Sequence, residues 1–277
     1  MEALVYRPNM HRITTVAASV AILLVLPAWG QDKPANSDIE NIGRRDVSQG
    51  ATNVYSIDKE IALGRQLSAV YEKQVRLSND PELGEYINRL GQNIVLNSDV
   101  RNLPVTFRVV ESDEPGGMAF PGGFVFVNRG TLTALDNEAE LAFALALGVA
   151  HIAARHGVPQ VSRGQIGIRS SVPQIFTGGA STSPAFLQFS GDAVLEADFL
   201  GVQYLYKAGY DPNAAVTFLQ KIQSGRLQGT PNLFNSVPSA TAHVVTMQRN
   251  IALVLPARSQ NLLTTPEFNG IKAGLTK

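Results

Sequence analysis

Residues 137–157 read NEAELAFALALGVAHIAARHG, and this stretch fixes the helical body around which the rest of the chain is arranged. Asn137 stands where a helix N-cap belongs, with Glu140 three residues on to complete a capping box. Glu138 and Glu140 place negative charge in the first turn, and Arg155 and His156 place positive charge in the last. Gly157 and Pro159 are the expected stop. Between these signals, Leu141 to Ala150 is apolar or glycine on every face, which predicts a helix enclosed by protein on all sides. The run is too short for a bilayer, which takes roughly 20 apolar residues.

The order NEAEL, an apolar turn and AHIAARHG resembles the active-site helix of the minigluzincin zinc metallopeptidases, a family of CAAX-prenyl proteases and periplasmic quality-control peptidases. Aligned on that helix, the family's HExxH motif falls on Leu147-Gly148-Val149-Ala150-His151, and only the second histidine is present. Two histidines at i and i+4 share a helix face and grip one zinc ion, while the glutamate beside the first acts as general base. Leu147 offers no lone pair and Gly148 offers no base. A mid-helix glycine costs about 1 kcal/mol against alanine, so Gly148 is expected to admit the close approach of a neighbouring backbone.

The resemblance extends to NVYSIDKEIALGRQL, to MAFPGGFVFVNRGTL and to EADFLGVQYLYKAGYDP, covering about Asn53 to Pro256. It implies a third zinc ligand four residues before Asp198, where this chain has Val194. Asp198 would support the site from behind the ligands. Glu196 lies about 200° around the helix from Val194, so it is expected on the outer face. An STHP-like segment of the family, whose histidine stabilises the tetrahedral intermediate, corresponds to Asn235-Ser236-Val237-Pro238 and would put Val237 in that place. His156 is about 140° around the helix from His151 and reads as a partner of the helix dipole. His151 reads as a hydrogen-bonded core residue with Asp198 as a possible partner, and His243 reaches the cleft only if tertiary folding brings it there.

Composition narrows the remaining choices. The 277 residues carry 23 Lys+Arg and 23 Asp+Glu, a balance that gives no basic surface for nucleic acid. No cysteine is present, so disulfides and a lipid-bearing cysteine are excluded. Arg7 and Arg12, the apolar run Val16 to Leu26 and Ala28-Trp29-Gly30 read as a signal peptide over residues 1–30, with a retained anchor as the alternative. Residues 31–52 read as a flexible leader, 53–256 as the peptidase-like domain and 257–277 as a tail. Removal of the signal leaves a periplasmic or secreted protein with no stable membrane insertion.

Helices are expected from Ser56, from Asp80-Pro81, over Asp192 to Ala208, from Asp211-Pro212 and over Ser239 to Leu255. Val105 to Val110 and Phe124 to Val127 read as paired strands. Phe124, Val125, Phe126 and Val127 are the expected peptide-binding edge, where an extended chain adds main-chain hydrogen bonds. The stretch 158–191 is either a lid or a disordered insertion. The fold class expected is α+β, a mainly helical zincin-like domain with a small sheet beside the motif helix. Function divides between a catalytically inactive pseudopeptidase that binds peptide or unfolded protein without a cofactor, and an active zinc endopeptidase using His151, Glu196 and a third ligand such as His243 or Asp198.

Overall fold

Asp80 and Pro81 open a helix as their residue types require. In the computed structural model, which describes residues 35–48, 55–158, 166–169, 172–175, 191–227 and 240–275, helix α2 spans Pro81–Leu96 and the Asp80 side chain accepts from the Leu83 N–H. Leu83, Ile87, Leu90 and Ile94, spaced for one helix face, are all buried. Asp80→Ala should lower the free energy of unfolding in urea by about 1 kcal/mol, because one first-turn amide loses its acceptor. Helix α1, Ile57–Glu72, is capped by Ser56 in the same manner.

Strands β1 (Thr106–Val110), β2 (Gly117–Phe120) and β3 (Phe124–Asn128) form one sheet in the order β1-β3-β2. β1 pairs with β3 in parallel, and β2 pairs with β3 antiparallel. The predicted strands do pair, but β3 is the central strand. Both of its edges are taken, so Phe124, Val125, Phe126 and Val127 cannot serve as a peptide-binding edge. Their uninterrupted apolar run is what a strand covered on both faces demands. A short helix, α3 (Arg129–Ala134), leads to α4, Glu138–Ala153, every residue of which is buried.

After α4 come a two-stranded antiparallel pair, β4 (Ile166–Arg169) and β5 (Val172–Ile175), then α5 (Gly191–Lys207), α6 (Asn213–Gln223), α7 (Ala240–Val254) and α8 (Pro266–Leu275). The stretch 158–191 therefore contains an antiparallel strand pair, while residues 159–165, 170–171 and 176–190 lie outside the described residues, as does the expected signal segment. α4 packs on α2, α5, α6 and the sheet, which gives the mainly helical α+β arrangement expected of a zincin-like fold. Among the described residues, no helix is long and apolar enough to cross a membrane.

Two segments read as flanks belong to the folded body. Within the supposed flexible leader, Ile39, Ile42 and Val47 are buried, and Arg45 Nε lies 3.0 Å from Asp99 Oδ2. Within the supposed tail, Leu262 O accepts from Asp211 N–H and Leu263 O from Ala139 N–H, each at 2.9 Å. Phe268 on α8 is fully buried. Glu138, at the start of α4, gathers hydroxyl donors from Tyr86 (3.0 Å), Tyr210 (2.7 Å) and Thr265, so the supposed tail is pinned to the motif helix.

Candidate functional site

The first turn of α4 forms as its residues predict. Asn137 accepts from Glu140 N–H at 2.9 Å, and Glu140 Oε2 accepts in return from Asp136 N–H at 2.8 Å. The C-terminal end differs from the sequence reading. Helix α4 ends at Ala153, and Arg155 takes a left-handed conformation with φ 57°. Arg155 N–H donates to Ile152 O at 3.0 Å and His156 N–H donates to His151 O at 3.1 Å, the paired bonds of a Schellman cap. The Arg155 guanidinium holds that turn from outside, reaching Glu60 Oε2 at 2.6 Å through Nε and Tyr55 O at 2.7 Å. Burial pushes the Glu60 carboxyl up, and Arg155 opposes the shift.

This turn overrides the helical-wheel placement of His156. Its Nδ1 lies 2.9 Å from Nδ1 of buried His151, and its Nε2 lies 3.1 Å from Glu196 Oε2 on α5. Glu196 can accept from the Nε2–H of His156, and the two imidazoles meet through their Nδ1 atoms, where one ring donates and the other accepts. Burial, reinforced by His156, holds His151 well below the usual imidazole range. Glu196 is on the outer face, as expected, but still reaches inward to this histidine.

Asp198 does not partner His151. It is buried and faces His243 of α7, with Nε2 2.7 Å from Oδ2. The atoms lie off the line of a well-formed ring N–H bond, so the contact is a close polar approach with poor hydrogen-bond alignment. Burial raises the Asp198 carboxyl and His243 opposes the rise.

The remaining motif positions are packed as core. Leu147 and Val194 are both 4% exposed. A Cβ on Gly201 of α5 would sit 3.4 Å from Leu147 Cδ2, so the leucine fills the seam between α4 and α5. Gly148 is explained by a side chain and not by a backbone: a Cβ there would meet Val125 Cγ1 of β3 at 3.1 Å. Val237 lies outside the described residues. Leu147, Gly148 and Val194 present no metal donor. Among the described residues, no three His, Asp or Glu side chains converge on a point that could hold an ion. The donor set does not fit a catalytic zinc, which takes about three protein ligands.

Beside His151 a small crevice runs between the end of α4 and strand β2, lined also by Ala119, Phe120, Pro121 and Ile152. A cavity of about 310 Å³ opens nearby, where Arg45, Asp46, Glu60, Asp99 and Arg155 carry its charges.

A model of peptidase family M48 matches residues 81–250, the span from the first turn of α2 through most of α7. The chain belongs to peptidase family M48. It is 33% identical over 253 residues to a beta-barrel assembly-enhancing protease of Yersinia pestis, covering 82% of this chain and 50% of that protein. A protein of the same description from Escherichia coli is 30% identical over 221 residues, covering 73% of this chain and 45% of its own length. A mitochondrial metalloendopeptidase OMA1 of Schizosaccharomyces pombe is 28% identical over 155 residues, with 52% and 45% covered. This M48 chain thus spans about half the length of these relatives. The zinc metallopeptidase resemblance read from residues 137–157 is established at the family level. The His156 contact with Glu196 was missed in the sequence, and the one local signal for it was the ARHG wording, whose arginine adopts the left-handed turn.

Proposed function

We propose that this M48 chain is a catalytically inactive peptidase, an exported protein that binds extended peptide or unfolded protein without a metal cofactor. One observation carries the reading: Leu147, Gly148 and Val194, the residues aligned with the first zinc histidine, the general base and the third ligand, are packed as core, with Leu147 beside Gly201, Gly148 against Val125 and Val194 buried. The descriptions of the relatives as beta-barrel assembly-enhancing proteases support incompletely folded protein as the partner class. The apolar run of residues 16–26 supports export.

Peptide binding is assigned to β2, the last strand of the sheet among the described residues. Asn128 N–H donates to Gly116 O at 2.9 Å, so by antiparallel alternation Met118 and Phe120 bond β3, while the backbone groups of Gly117 and Ala119 point away from it. A peptide docking there must widen the crevice at Ala119, Phe120 and Pro121. Ala119→Pro removes one outward donor without touching the β3 ladder, and proline is tolerated at such an edge position.

The test uses the mature chain without a histidine tag, equilibrated with zinc and then dialysed. It should retain no stoichiometric zinc, leave unfolded casein uncut, and bind a fluorescent unfolded polypeptide about tenfold more tightly than Ala119→Pro does. Stoichiometric zinc together with chelator-sensitive cleavage would reject the reading and restore the active zinc endopeptidase.

A further inference from the structure

Where the motif positions have become apolar, no polar group is left to satisfy. Leu147, Gly148 and Val194 follow that rule, yet three polar side chains remain buried around them: His151, Asp198 and His243 are 3%, 5% and 5% exposed. Burying such groups is unfavourable unless each finds a partner. Each lies against a polar neighbour, His151 on His156 as a hydrogen bond and Asp198 on His243 as a close but poorly aligned ionic approach, and the neighbours fall in a pattern. Helix α5 extends Glu196 to His156 at the end of α4, and two residues later Asp198 to His243 on α7, with buried Ala197 between them. His151 completes the first arm through His156.

We propose that these two histidine–carboxylate contacts form a metal-independent brace, joining the end of α4 to α5 and α5 to α7 at the place where the family uses a zinc ion. The inference rests on the metal-free reading above. It goes further by assigning Glu196, His156, Asp198 and His243 a common task that no single-residue view gives them. The brace sets the position of His151 and hence one wall of the crevice beside β2. Two arms leaving one helix in different directions fix its rotation as well as its distance from its neighbours, which apolar packing at the Leu147–Gly201 seam alone would leave to side-chain shape.

Double-mutant cycles on the full mature chain, read as thermal midpoints with and without a chelator, test the proposal. His243→Leu and Asp198→Leu should each lower the midpoint by about 3 to 10 °C, and the double variant should recover most of that loss, because removing both partners strands neither. Glu196→Ala and His156→Phe should show a smaller loss with the same non-additive sign, and the partly exposed Glu196 makes folding of that variant secure. Chelator and added zinc should leave the unsubstituted midpoint unchanged. Strict additivity in both cycles overturns the brace while leaving the metal-free reading intact. A zinc-dependent rise in midpoint that the His156 or His243 variants abolish overturns both, since those side chains would then be ligands.

Discussion

Lys221→Met should lower the free energy of unfolding by about 3 to 5 kcal/mol, one of the largest losses available from a single substitution far from the crevice. Lys221 is 5% exposed on α6 and contacts Glu140, itself 1% exposed, together with Asp136 at 2.8 Å. Glu140 also accepts from Thr217 Oγ1 at 2.6 Å and from Asp136 N–H. The lysine hydrogen bond is the main reason the Asp136 carboxyl sits below its ordinary range. Methionine keeps the volume and removes the charge, so Glu140 is left buried with hydrogen-bond donors but no counter-ion. Adding Glu140→Gln should recover a substantial part of the loss. Urea denaturation of both variants decides the matter: equal destabilisation by the single and double changes would mean that the ion pair is not what the lysine contributes.

Restoring the metal motif should give a chain that holds about one zinc ion through residues 147, 151 and 194, provided the sheet is relieved at the same time. Leu147→His, Gly148→Glu and Val194→Glu replace the missing donors and base at their aligned positions. The obstacle is local. Even the first carbon of a side chain at 148 would meet Val125 Cγ1 at 3.1 Å, so the triple variant is expected to fold poorly. Val125→Ala opens that contact, and the quadruple variant should gain a zinc-dependent rise in thermal midpoint, as any ligand of the native state produces. Zinc analysis of the folded quadruple variant is the decisive reading. A well-folded protein that takes up no zinc would show that Leu147, Gly148 and Val194 are not the degenerate site positions.

Much of the helical body could be read from local chemistry. The cap-and-proline pair at Asp80-Pro81 and the spacing of Leu83, Ile87, Leu90 and Ile94 are complete within one helix, so nothing distant had to be known. The sheet was harder. The four residues of β2 lie between two glycine-rich turns and are too few to display alternation, so β3 appeared as an outer strand although its apolar run belongs to a central one. Contacts between remote residues were hidden altogether: Arg45 with Asp99, Thr265 with Glu138 and His243 with Asp198 depend on tertiary packing, and residue type alone does not name the partner. That residues 147, 148 and 194 carry no metal-donor atom was legible because it concerns which atoms are present. The replacement contacts were not, because helical rotation stops predicting direction once Arg155 leaves the helix.

That left-handed arginine also bears on how the molecule opens. A left-handed L-residue costs about 1 kcal/mol, and here the arrangement is held by Glu60 and Tyr55, some hundred residues earlier in the chain. The last turn of α4 and the beginning of α1 consequently form one cooperative unit. Amide hydrogens of Arg155 and His156 should therefore exchange with solvent when the Glu60 anchor is released, at the free energy of that joint event and not at that of ordinary helix-end fraying.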